Sequence, residues 1–340
     1  QRLPRQPRIL PPDFSWGRSR TPLSWRVVTK ITSSPASVGY LGPEGTFTEQ
    51  ALLSQPDLAA AAHVLCRSHS DVLFRTQEGD VDAGFCAIEN SIEGTVNVIQ
   101  DALAFDTDLL IQREVVIPIT MNLLARPGVS IHDVKQIVSY PHALAQVRSF
   151  IRAQLPDADT IAANSTADAA RMLASEGDDT MAAVGTALAA ERYGLEILRA
   201  GIEDHKGNQT RFVVIAPDGV PEPTGHDKTS VVVFQRADRP GSLLSILQEF
   251  AARSINLTKL ESRPTRQGLG DYCFLLDLEG HIADELVADC LKNLHAKQAS
   301  VKFLGSYPAA GDHGDHVRAQ AHEAWEQAES WVESLRSKQY

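Results

Sequence analysis

The chain has 340 residues, 43% of them hydrophobic and 22% charged, with a formal net charge of −11. That length can bury a large core and fits two domains better than one. No run approaches the apolar length of a membrane span, and the acidic balance excludes non-specific nucleic-acid binding, which needs clustered cations.

Residues 1–34 stand apart, with seven Lys or Arg against one acid, many prolines and no apolar period. They lack the apolar core of a secretory signal. We read them as a disordered extension or a misassigned start, with a proline-broken transit peptide as the alternative. Cys66, Cys86, Cys273 and Cys290 have no CxxC spacing and lie in or beside apolar segments, so buried reduced thiols and a cytoplasmic setting are expected.

From Val38 onward short apolar runs alternate with helical patterns, which predicts an α/β region over 35–217 with largely parallel strands. A strand at 38–41 meets a turn at Gly42, Pro43 and Gly45, and Thr46 caps a helix carrying Phe47, Ala51 and Leu52. A second strand ends near Ile88 and leads to a helix with Val96, Ile99 and Leu103. Strand-like runs follow at 109–111 and 115–124. A strand at 136–139 enters a helix bearing Leu144, Val147, Phe150 and Ile151. Ser165 to Asp168 form a capping-box variant before the next helix. A strand at 181–184, a helix through Tyr193 and a strand at 212–216 close the unit. Strand ends meet helix starts at Gly42, Glu89, Ser139 and Gly185, the places where open α/β sheets bind ligands.

Residues 218–228 read as a proline- and glycine-rich linker. Beyond it the order strand, helix, strand, strand, helix, strand over 229–308 is the ferredoxin-like βαββαβ pattern. Val317, Ala321, Trp325, Ala328, Val332 and Leu335 then recur at helical spacing, predicting an amphipathic helix within 309–340.

The chemistry concentrates in GPEGTFTEQA (42–51), ENSIEGTVNVIQD (89–101), SYPHALAQ (139–146) and GNQTRF (207–212). In the last, a hydroxyl and a guanidinium adjoin at the mouth of an apolar run, suited to donating a hydrogen bond and holding a carboxylate at two points. With ESRP (261–264), these segments resemble the prephenate dehydratase family, in the family's order, over 38–308. DRPGSLLSIL (238–247) and INLTKLESRP (255–264) resemble an ACT domain, an amino-acid-sensing module. The resemblance implies a two-lobed catalytic region like a periplasmic binding protein's, with the site in the cleft. It also implies that prephenate loses CO2 and its ring hydroxyl to give phenylpyruvate. Neither a cofactor nor a metal is expected, and HExxH, GxGxxG and GxxxxGK[ST] are missing from the sequence. The 37 residues before Val38 are too few and too proline-rich for a chorismate-mutase domain, so one activity is expected. An arogenate dehydratase and a non-catalytic two-lobed binding protein are the alternatives.

By this resemblance Thr210 donates to the departing hydroxyl. Its own pKa is too high for it to be a proton reservoir, so it acts within a network or relays from water. Arg211 is expected to clamp a carboxylate, with Phe212 beside it. Glu89, Asn90 and Ser91 are expected to line the prephenate site, with Asn90 or Ser91 also capping the helix that follows. Ser139 and Gln146 match substrate-contacting positions of the family's SHPQALAQ, whereas Tyr140 and His142 depart from it, so His142 is given a supporting role. Gly45 and Thr46 form an anion seat at a helix start. Gly241, Ser242, Leu243 and Leu244 from one subunit, with Glu261, Ser262, Arg263 and Pro264 from another, are the implied phenylalanine site. That makes a homodimer or homotetramer the expected assembly.

Overall fold

Apolar runs bounded by Gly, Pro and Ser form three sheets in the computed structural model, which describes residues 34–235, 239–266, 268, 270–298, 300–311 and 330–337. The expected leader lies outside the described residues, as does the expected C-terminal helix except for an exposed helical stretch at 330–336. Strands β1 (Ser37–Leu41), β2 (Ala62–Cys66), β3 (Ala83–Asn90), β4 (Gly94–Thr95) and β5 (Leu110–Pro118) build a first lobe. A second lobe holds β6 (Asn122–Ala125), β7 (Gln136–Ser139), β8 (Asp159–Ala162), β9 (Met181–Gly185) and β10 (Glu196–Arg199). The chain then returns as β11 (Gln209–Ala216) into the first sheet, whose order is β2-β1-β3-β11-β5, while the second sheet runs β10-β6-β9-β7-β8.

The expectation of largely parallel strands holds for only part of each sheet. β1 pairs in parallel with β2 and β3, and β7 with β8 and β9. β11 is antiparallel to β3 and β5, and β6 to β9 and β10. The two crossings between lobes cause this, because a strand returning from the second lobe enters the first sheet from the opposite end. The crossing segments lie side by side: Ile119 N–H donates to Asn208 O at 2.8 Å and Ile202 N–H to Met121 O at 2.9 Å. The same crossing explains why the apolar run expected at 115–124 is two strands in different lobes.

Alternate residues of β11 serve different cores, as the period of two requires. Phe212 and Val214 join Tyr40, Leu52 and Phe85 of the first lobe and Ile137 and Val184 of the second. Phe212 stacks on Phe85 with ring centroids 5.4 Å apart, and burying each such ring contributes about 1.5–3 kcal/mol. Val213 and Ile215 face the other way, against Val232, Leu304 and Tyr307 of a third sheet.

That sheet has the order β13-β14-β12-β15, with β12 (Asp227–Phe234), β13 (Leu257–Pro264), β14 (Tyr272–Glu279) and β15 (Ser300–Pro308). Helices Ser242–Ala251 and Glu285–Lys297 cover one face through Ile246, Phe250, Val287, Cys290 and Leu294. Its other face lies on the first lobe. The approach is closest at Gly305 (φ 136°), where a Cβ would run into the backbone of Ile111. A Gly305→Ala variant is therefore expected to lose about 1–3 kcal/mol by overpacking, measured as a lower thermal unfolding midpoint. No helix among the described residues is long and apolar enough to cross a membrane.

Candidate active site

The hydroxyl and amide side chains singled out at Thr210, Asn90, Ser91 and Gln146 meet where β3 and β11 reach the lobe crossing. Thr210 is opposite Asn90 in the antiparallel ladder. Asn90 Nδ2 donates to Thr210 Oγ1 at 2.8 Å and to Asn208 Oδ1 at 2.9 Å. Accepting through its lone pair leaves the Thr210 hydroxyl hydrogen to be donated elsewhere. Ser91 Oγ donates to Asn208 Oδ1 at 3.1 Å and accepts from Gln209 N–H at 3.0 Å. Asn90 also caps the turn after β3, its Oδ1 accepting from Ile92 and Glu93 N–H.

The second lobe reaches this cluster through the helix Pro141–Gln146. Asn208 Nδ2 donates to Gln146 Oε1 at 3.0 Å, and Gln146 Nε2 to Glu93 Oε1 at 2.8 Å. His142 Nδ1 lies 2.6 Å from Glu93 Oε2. Hydrogen bonding from Gln146 and then His142 holds the Glu93 carboxyl below the usual range. An unbroken set of contacts thus runs from Thr210 through Asn90, Asn208, Gln146 and Glu93 to His142, crossing from one lobe to the other. His142, expected in a supporting role, ends this series at Glu93 and does not itself touch Thr210, Asn90 or Asn208. Asn208 and Glu93 were not singled out from sequence, although both lie inside quoted motifs. An Asn two residues before the key Thr, on the same side of an extended chain, was the available signal.

Other expected site residues are engaged elsewhere. Ser139 is fully buried and donates to Val184 O at 2.7 Å, tying β7 to β9. Phe212 is on the Thr210 face but is 1% exposed in the core beneath it, so it supports the cleft and does not line it. The anion seat at Gly45 and Thr46 is filled from within: the Glu49 carboxylate accepts the Gly45 N–H and is gripped by Arg192 at 2.6 Å. Thr46 caps its helix by accepting from Glu49 N–H. Gly45 O accepts from Thr186 Oγ1 at 2.7 Å, so this loop docks one lobe on the other.

Arg211 and Glu89 are the largest correction. Both lie on the face of the strands opposite Thr210 and Asn90, against the third sheet. Arg211 donates to Glu114 Oε2 at 2.8 Å, Asp277 Oδ2 at 2.6 Å and Tyr307 Oη at 2.9 Å. Glu89 is 3.5 Å from Arg211 Nη1 and 3.3 Å from Lys259 Nζ. Alternation along the strand thus turns Arg211, expected as a carboxylate clamp, away from the cleft face and toward the third sheet. Burial works to raise the Asp277 carboxyl, but Arg211, the Ser230 hydrogen bond and Lys259 offset this and hold it below the ordinary range. A depressed carboxyl stabilises the fold above its unfolded value of about 3.9 and loses that contribution as pH falls through its folded value. Asp277→Asn is accordingly expected to flatten the stability profile below about pH 4, measured by thermal unfolding at a series of pH values. Among the described residues no group of three or more His, Cys, Asp or Glu is placed to hold a metal.

The family model for prephenate dehydratase matches residues 38–219, and that for the ACT domain matches 229–296. The chain belongs to the prephenate dehydratase family. A prephenate dehydratase of Mycolicibacterium vanbaalenii is 44% identical over 313 residues, covering 88% of this chain and 98% of that one. The crystal structure of the prephenate dehydratase of Arthrobacter aurescens, in complex with L-Phe, superposes with a TM-score of 0.79 at 41% identity, covering 88% and 99% of the two chains. The quorum-quenching acylase GqqA superposes at 0.73 with 30% identity, covering 81% and 98%. The region matched by the prephenate dehydratase model is a two-lobed α/β unit, and the C-terminal unit is a βαββαβ ACT domain.

Within the ACT domain, Gly241 (φ 85°) starts the helix that carries Ser242, Leu243 and Leu244. Leu243 packs on the ACT core and Leu244 is 58% exposed. The ESRP segment ends the edge strand β13, where Glu261 and Arg263 turn to the first lobe: Thr95 donates to Glu261 at 2.7 Å and Arg263 to Asp101 at 2.7 Å. Ser262 and Pro264 alternate outward and are exposed.

Proposed function

We propose that this chain, a lyase of the prephenate dehydratase family, converts prephenate to phenylpyruvate in the cleft between its lobes, and that phenylalanine bound at the ACT domain lowers turnover. The observation carrying the reading is the Thr210–Asn90 hydrogen bond at the lobe crossing, continued into the second lobe by Asn208 and Gln146. In the reaction the bond from the ring to its carboxylate breaks and its electron pair moves into the ring. The C–O bond breaks in turn, and the hydroxyl leaves with one added proton as water. Products are phenylpyruvate, CO2 and water. Thr210 donates a hydrogen bond to the leaving oxygen. Neutral amides orient the substrate but carry no proton of their own to give, so the added proton comes from solvent, directly or by relay through the Thr210 hydroxyl.

The acylase likeness raises hydrolysis of an acyl amide as a second chemistry. That chemistry is disfavoured because the Ser91 and Ser139 hydroxyls bond to Asn208 and to the Val184 carbonyl, not to a histidine base. The chain is proposed to work in the cytoplasm as a homodimer or homotetramer, with the effector held between copies. The outer edge of β13, which no strand among the described residues pairs, with Leu260 46% exposed, supports such an assembly. The test is phenylpyruvate formation from prephenate, run beside arogenate and an acyl amide, each with and without phenylalanine. Phenylalanine-suppressed turnover of prephenate is expected. Preference for arogenate, or binding of prephenate without turnover, would replace the reading.

A further inference from the structure

Side chains on opposite faces of one strand tie the catalytic cluster to the regulatory sheet. Thr210 bonds to Asn90 on the cleft face. One residue along each strand, Arg211 and Glu89 pair with each other and meet the ACT domain. The ladder between β11 and β3 shifts register between Arg211 and Phe212, directly beside this pair. Such irregularities locally re-aim side chains and recur beside active sites.

The ACT side of the contact draws on all four of its strands. Lys228 and Ser230 come from β12, Lys259 and Glu261 from β13, Asp277 from β14 and Tyr307 from β15. Ser230 Oγ donates to Asp277 Oδ1 at 2.5 Å and is 2.6 Å from Tyr307 Oη. Lys228 Nζ donates to both Glu114 oxygens at 3.0 Å. The outermost strand joins through Lys259, whose Nζ is 3.3 Å from Glu89 and 3.8 Å from Glu261. Glu261 opens the ESRP segment. A short series of charged contacts therefore leads from that segment through Lys259 and Glu89 to Arg211, whose backbone is continuous with Thr210. Arg211, Lys259 and Asp277 are 10–12% exposed and Glu89 37%, so the contacts are strongest at the Asp277 end of the series, and a packed interior transmits a displacement from one side chain to the next.

We propose that the Glu89–Arg211 pair is the element through which the ACT domain sets activity: a positioning pair that holds Asn90 and Thr210 in register and yields when β13 and β14 shift. This deepens the proposed regulation and rests on it. On this reading Arg211 stands beside Thr210 for a task other than substrate binding. Effector binding at β13 changes the Lys259 and Asp277 contacts, the pair re-seats, and the Thr210 hydroxyl loses its alignment. To the extent that the shift also lowers the affinity of the cleft for prephenate, linkage requires bound prephenate to weaken phenylalanine binding by that factor, whereas a loss in kcat alone carries no such reciprocity.

The experiment uses the full chain and two variants outside the cleft, Lys259→Met and Tyr307→Phe, which touch the pair from different strands. Each is assayed for phenylalanine affinity by calorimetry and for prephenate turnover with and without saturating phenylalanine. Wild-type suppression in the usual allosteric range of about 5–150-fold is expected to fall severalfold in either variant, with phenylalanine affinity little changed. Suppression equal to wild type in both variants overturns the inference. So does an equal loss of turnover with and without phenylalanine, which marks a merely structural role, and so does a parallel loss of phenylalanine affinity, which places these residues in the effector site. Wild-type protein that forms no phenylpyruvate would remove the functional reading itself, and the inference with it.

Discussion

Replacing Thr210 with Ala or Val is expected to lower kcat by about 10²–10³-fold, the usual cost of deleting one donor aimed at charge developing in a transition state. KM should change little, since the amides of Asn90, Asn208 and Gln146, proposed above to orient the substrate, remain. The fold should also survive. Asn90 Nδ2 keeps Asn208 Oδ1 at 2.9 Å and Gln209 O at 3.2 Å as acceptors after the hydroxyl is gone, so no buried donor is stranded. Thr210→Ser restores the hydroxyl and should recover most of the rate, though the loss of the β-methyl loosens its rotamer. Steady-state kinetics on the three variants, with thermal unfolding as the control, decide the matter. Near-normal turnover by the Val variant would take Thr210 out of the mechanism.

The legible parts of this molecule were those where period and motif agree. The ACT domain was readable because its central strands are covered on both faces: β12 presents Val231 and Val233 to the helices and Val232 to the first lobe, giving a continuous apolar run. β2, β8 and β10 passed unread. All three are sheet edges, and their partly exposed sequences lack a firm alternation. The helix expected to carry Leu144 through Ile151 is interrupted at Val147 (φ −120°, ψ 15°), which no Gly or Pro announces. At the site, the meeting of Thr210 with Asn90 and Gln146 followed from motif resemblance. What motif resemblance missed is a matter of face. Thr210 and Arg211 are consecutive in a strand, so their side chains leave it on opposite faces, and the same holds for Glu89 and Asn90. Their proximity in sequence suggested a shared role, while the backbone geometry divides them between two domains.

Arg211→Met is expected to destabilise the protein by about 3–5 kcal/mol, because it strands buried carboxylates that the guanidinium now satisfies. Arg211 is 12% exposed, Glu114 2% and Asp277 10%, so water does little to screen what remains. Three cations, Arg211, Lys228 and Lys259, face three carboxylates, Glu89, Glu114 and Asp277, and Glu261, 3.8 Å from Lys259, is offset by Arg263 at 3.7 Å. Deleting one cation leaves one excess negative charge at a domain interface. Lys228 still serves Glu114, and the unsatisfied group is mainly Asp277, whose shortest ionic contact was the 2.6 Å bond to Arg211. The double variant Arg211→Met with Asp277→Asn restores the balance and should therefore lose less stability than the two single losses added together. A clamp in the cleft would behave oppositely: Arg211→Met would raise KM and leave unfolding almost untouched. Calorimetric unfolding of the two single variants and the double variant, with KM measured on each, separates the two pictures. A stable Arg211→Met protein with a large rise in KM would return Arg211 to the substrate.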